Sequence, residues 1–140
     1  MAKIVYNACF GGFGLSREAV LRYAEIKGVT VYHRPDGFGM SHYYLCPQEE
    51  YERLRKEEEE STTTGWRRYA RSNALYFSPS DIARNDPALV QVVEELDDKA
   101  SGSYSKLRIK ELEAGTMYRI DEYDGSETVV TRDADEWSVA

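Results

Sequence analysis

Two glutamates flank the dipeptide Asp124-Gly125, and their spacing is the most chemically suggestive feature of the chain. An Asp-Gly pair between two strand-like runs specifies a two-residue hairpin turn. In that register Tyr123 faces Ser126, Glu122 faces Glu127, Asp121 faces Thr128 and Ile120 faces Val129. Like charges directly opposite on paired strands repel. The Glu122–Glu127 pair therefore needs an arginine, a cation, a pair of ligand hydroxyls or a raised carboxylate pKa. Arg84, just ahead of a helix, is the favoured internal partner. The competing roles are ligand recognition by Glu122, Asp124 and Glu127, or acid–base work by a carboxylate pair.

A second candidate is Phe10-Gly-Gly-Phe-Gly-Leu15, set between a strand and a helix capped by Ser16. Backbone N–H groups at such a turn can converge on an anion. Asn7, Gly11, Gly12, Phe13, Ser16 and Arg17 would line that site. The run is not a P-loop, because no Gly-Lys-Ser/Thr follows, and Arg17 stands where a dinucleotide fingerprint has its third glycine. The competing reading is a tight turn that tucks Phe10 and Phe13 into the core. A third candidate is the interaction patch Trp66, Arg67, Arg68 and Arg71, within a segment (61–85) of four arginines and one acid. Arginine forks onto phosphate or carboxylate and tryptophan anchors interfaces. The same arginines could instead pair with the acidic helix that precedes them.

No catalytic residue is assigned. Cys9 and Cys46 fit neither a disulfide scaffold nor a zinc motif and read as reduced thiols. His33 and His42 lack spaced partners for a metal triad, so no metal or cofactor is expected.

These residues must be carried by a small frame. The chain has 140 residues, 41% hydrophobic, with 25 acids against 18 bases. This suits one soluble domain. A net charge of −7 excludes non-specific coating of nucleic acid, and no apolar run is long enough to span a membrane. The acidity is concentrated in 49–60 and in the last thirty residues, with basic ground between.

Lys3–Cys9 reads as a strand, Ser16–Lys27 as a helix stopped by Gly28, and Val29–His33 as a strand followed by the Pro35-Asp36-Gly37 turn. Tyr43–Leu45 and Ala74–Phe77 read as short strands, and Gln48–Glu60 as an acidic surface helix whose four terminal glutamates oppose the helix dipole and fray it. Asp86-Pro87 starts a helix with an apolar stripe at Leu89, Val92, Val93 and Leu96. Strands follow over Ser105–Leu112, Met117–Tyr123 and Ser126–Thr131. The expected architecture is α+β: one domain over 1–132, a mixed or antiparallel sheet with two to three helices packed on it, a mobile surface helix and loop at 48–65, and a tail at 133–140 whose Trp137 could dock back.

The runs KIVYNACFGGFGLS (3–16), ARNDPALVQVVEEL (83–96) and IDEYDGSE (120–127) resemble a group of small uncharacterised tailed-bacteriophage proteins. The resemblance implies a phage-encoded accessory protein acting in the host bacterial cytoplasm. Such proteins often counter host defence. The leading expectation is therefore a non-enzymatic, anti-defence protein that sequesters a nucleotide-type small molecule, with carboxylates for ribose hydroxyls and a helix N-terminus for phosphate. The alternatives are an acidic inhibitor that docks on a host protein, and an enzyme acting on a nucleotide derivative. Exposed tyrosines and hairpin edges also favour a homo-oligomer.

Overall fold

The structure is a computed structural model that describes residues 1–35, 37 and 41–132, with the backbone alone for Trp66. The expected tail at 133–140, including Trp137, and the centre of the turn after Pro35 lie outside the described residues. The fold is α+β. Among the described residues the strands form three small antiparallel sheets rather than one. The chain divides into two compact units, Met1–Tyr23 with Pro79 onward, and Ala24–Ser78.

The first unit is framed by β1 (Ala2–Asn7) and β5 (Leu107–Leu112), paired with Ala2 opposite Leu112 and Asn7 opposite Leu107. Ile4 and Val5 point to opposite faces of β1, yet both are buried, so this strand is covered on each side. Helix α4 (Pro87–Leu96) starts as its sequence requires: the Asp86 carboxylate accepts the Ala88 N–H at 2.8 Å and Pro87 needs no donor partner. Its buried stripe of Leu89, Val92 and Val93 contributes about 1.5–3 kcal/mol per side chain.

Helix α1 (Arg17–Lys27) begins in this unit, where Ser16 Oγ accepts the Ala19 N–H and Ala19, Val20 and Tyr23 are buried. The Tyr23 hydroxyl donates to the other Asp86 oxygen at 2.8 Å. Burial and that carboxylate push the phenol up to about 12. Strands β6 (Tyr118–Tyr123) and β7 (Ser126–Thr131) pair in the register that Asp124-Gly125 dictates, Glu122 opposite Glu127 included. Asp124 (φ 50°) and Gly125 (φ 88°) both lie at positive φ, as a type I′ turn demands.

The second unit holds a three-stranded sheet ordered β2 (Tyr32–Pro35), β3 (Ser41–Tyr44) and β4 (Tyr76–Phe77). The strand expected from Val29 starts three residues later, because the Val29 N–H is still used to close the helix end onto Ala24 O at 2.9 Å. Tyr44 packs on Tyr51 of α2 (Gln48–Glu59) with ring centres 4.6 Å apart.

The last turn of α2 is held rather than frayed. Glu58 is buried, and its carboxylate accepts the Ser72 N–H (2.9 Å) and hydroxyl (2.5 Å) of the short helix α3 (Ala70–Asn73). Burial alone would raise its pKa, but the two Ser72 bonds and the nearby Arg55 and Arg71 charges outweigh it and hold the carboxyl below its ordinary value. The sequence misleads here because a run of glutamates reads as uniform, while a single one turns inward to cap the neighbouring helix.

Candidate functional site

Asn7 ends β1, and its side chain joins three segments of the first unit. Nδ2 donates to Cys9 O and Gly125 O, each at 2.8 Å, while Oδ1 accepts the Lys106 N–H at 2.8 Å and the Cys9 N–H at 3.4 Å. Both amide donors are spent internally and the oxygen is occupied. The Asn7 backbone N–H donates to Glu127 Oε1 at 2.8 Å.

The same Glu127 oxygen receives Arg84 Nη1 at 2.5 Å, and the Arg84 guanidinium lies 3.5 Å from the centre of the Phe13 ring. The compensation that the opposed glutamates call for thus comes from Arg84. It goes to Glu127 only. Glu127 is buried, whereas Glu122 and Asp124 are exposed.

The glycine loop serves close packing. A Cβ on Gly125 would overlap the Phe10 carbonyl and come within 2.6 Å of the Gly12 nitrogen, so the hairpin turn sits directly on the loop. A Cβ on Gly11 would overlap the Tyr104 carbonyl. Ser16 is committed as well, since its hydroxyl donates to Lys99 O at 2.5 Å while capping α1. Arg17 is exposed. Of the residues singled out in the sequence, Asn7, Gly12, Phe13, Arg84 and Glu127 therefore come together as an internally satisfied cluster. Gly11 faces a cleft, Ser16 caps a helix, and Arg17, Glu122 and Asp124 are exposed.

Of the candidates singled out in the sequence only Gly11 lines that cleft, and no motif indicated the rest of its lining. It is an open cleft of about 620 Å³, lined by Cys9, Phe10 and Gly11, by Asp98, and by residues between Ser101 and Arg108. Residues Phe10 and Tyr104 are 68% and 78% exposed. Lys106, just ahead of β5, and Arg108, its second residue, both line the cleft. Arg108 donates to Asp98 at 3.3 Å and to Leu107 O at 2.7 Å. The Lys106 ammonium and the Ser103 hydroxyl make no hydrogen bond or ion pair among the described residues. Cys9 is a free, half-buried thiol whose Sγ donates to Tyr104 O at 3.0 Å. The sequence signal, in retrospect, is Ser101-Gly-Ser-Tyr-Ser-Lys106: turn-forming small residues that interleave an aromatic ring and a cation.

The arginine patch lies in the second unit. The segment from Gly65 forms a 3-10 turn that leads into α3. Arg68 donates to Thr63 O (3.1 Å) and Ser61 O (3.3 Å), and Arg71 lends its charge to Glu58. Arg67, Arg68 and Arg71 line a small cleft of about 280 Å³ together with Glu57 and Glu58, so carboxylates share it with the cations. His33 bonds Ser41 Oγ (2.8 Å) and His42 bonds Tyr76 Oη (3.2 Å). Cys46 is a buried free thiol whose pKa burial pushes up. No group of three His, Cys, Asp or Glu side chains among the described residues is placed to hold a metal ion. No helix among them is long and apolar enough to cross a membrane.

No protein-family model matches the chain, and neither a curated protein nor a solved structure does.

Proposed function

We propose that this chain is a binding protein that sequesters a nucleotide-type small molecule in the cleft between the glycine loop and residues 101–108. The observation that carries this reading is the company kept there: two largely exposed rings, Phe10 and Tyr104, beside the cation Lys106, with Arg108 paired to Asp98 at the same cleft. Aromatic side chains give a base a stacking surface, worth about 1–3 kcal/mol per base. A lysine without an internal partner supplies a phosphate counter-charge in a protein that is acidic overall. The cleft volume of about 620 Å³ lies within the roughly 300–1,000 Å³ common for small-molecule sites. The hairpin carboxylate Glu127 is left out of this reading, because Arg84 and Asn7 already occupy it.

The resemblance of the glycine loop, the α4 run and the hairpin to phage proteins supplies the setting. In this proposal the protein is a phage-encoded accessory factor that removes a host defence signal in the bacterial cytoplasm. Mass spectrometry of small molecules released by heating the purified protein tests the reading, together with thermal shifts across a panel of nucleotides. An intact nucleotide-type molecule is expected, and its binding should weaken about tenfold or more in Tyr104→Ala and in Lys106→Ala. No released molecule and no shift with any nucleotide would sink the proposal, and release of a chemically altered molecule would replace sequestration with turnover.

A further inference from the structure

Strand β6 is hydrogen-bonded to β7 on one side only, and among the described residues its other edge pairs with no strand. An open edge is a template for another strand. Which of its backbone groups point outward is fixed by the hairpin. A two-residue turn makes Tyr123–Ser126 a hydrogen-bonded pair, and such pairs alternate along an antiparallel ladder. The odd-numbered residues of β6 thus turn their N–H and C=O groups toward β7. The Met117 carbonyl, which accepts the Arg132 N–H at 2.9 Å, continues the same pattern. The outward groups belong to Tyr118, Ile120 and Glu122.

We propose that this edge pairs with the same edge of a second copy of the chain, antiparallel about a two-fold axis at Ile120. Only registers that set outward groups against outward groups are possible, and charge selects among them. Shifting the axis to residue 119 places Arg119 against Arg119 of the second copy, and shifting it to 121 places Asp121 against Asp121. Both oppose like charges, which is unfavourable. With the axis at Ile120, Arg119 stands opposite Asp121 twice, at the non-hydrogen-bonded positions where side chains come closest. Within one chain these two side chains already bridge at 2.8 Å and are 52% and 51% exposed, so the pairing extends an existing ion pair into a four-charge network. Met117, 62% exposed, comes opposite Tyr123, 80% exposed, where sulfur and ring can meet.

Sedimentation or light scattering across a concentration series tests the assignment. The native chain is expected to form a dimer that weakens in 1 M salt, where charges are screened within about 3 Å. Arg119→Asp and Asp121→Arg should each weaken dimerisation by roughly 10- to 100-fold, because each sets like charges opposite one another twice. Mixed in equal amounts, the two variants should recover the dimer, since each then meets its opposite; this also shows that both are folded. A native chain that stays monomeric at its highest soluble concentration overturns the proposal. So do single variants that dimerise as the native chain does, and a mixture that stays monomeric.

Discussion

Replacing Glu127 by glutamine keeps the shape of a buried side chain while removing the charge that Arg84 faces. The glutamine oxygen can still accept the Asn7 N–H, so the loss is confined to the ion pair. The side chains of the pair are 17% (Arg84) and 8% (Glu127) exposed. Breaking a fully buried pair costs about 3–5 kcal/mol. The residual exposure of Arg84 and its stacking on Phe13 soften that, so the expected cost is about 2–3 kcal/mol.

Glu127→Ala also strands the Asn7 N–H and adds about 1–3 kcal/mol. Urea unfolding followed by circular dichroism reads these losses as midpoint shifts on the order of 1–2 M. Pairing Glu127→Gln with Arg84→Met in a double-mutant cycle should give a coupling energy of about 2 kcal/mol. A Glu127→Gln variant within about 0.5 kcal/mol of the parent, or strict additivity with Arg84→Met, would refute the claim that this pair joins the hairpin to the glycine loop.

Gly125→Ala should cost clearly more than Gly12→Ala. Both positions have φ +88°, worth about 1–2 kcal/mol of strain for a side chain, but a Cβ at Gly12 enters open space whereas one at Gly125 collides with the loop backbone; thermal unfolding of the two variants gives the order. Glu58 has its pKa depressed by folding, so its contribution is complete above the ordinary value of 4.5 and is lost as pH falls through the lower folded value. Amide protection factors over residues 58–73, corrected for the intrinsic pH dependence of exchange, should fall on acidification in the native chain and be low already at neutral pH in Glu58→Gln. Tyr23 runs the other way: with the phenol raised from 10.0 to about 12, its contribution to stability is full below pH 10 and declines between these values, and Tyr23→Phe should make the alkaline decline of the whole protein shallower, the raised Tyr76 phenol accounting for part of the remainder.

Much of the frame was legible because its signals are local. The Asp86-Pro87 helix start, the Ser16 cap and the type I′ hairpin each depend on a few adjacent residues, and the hairpin register followed from Asp124-Gly125 alone. The opposed glutamates even announced their own need for a cation. What the linear chain could not show was which glutamate Arg84 would reach, that Gly11 and Gly125 are glycines because Tyr104 and Phe10 carbonyls press on them, or that Glu58 would turn inward to Ser72. These contacts join positions far apart along the chain, and their sequence signature is one ordinary residue at each end. The cleft is of the same kind: Phe10 and Lys106 line one cleft only because β1 and β5 pair in one register. Local backbone chemistry wrote the elements into the sequence; the packing of distant segments decided which polar groups are consumed within the fold and which are left facing solvent.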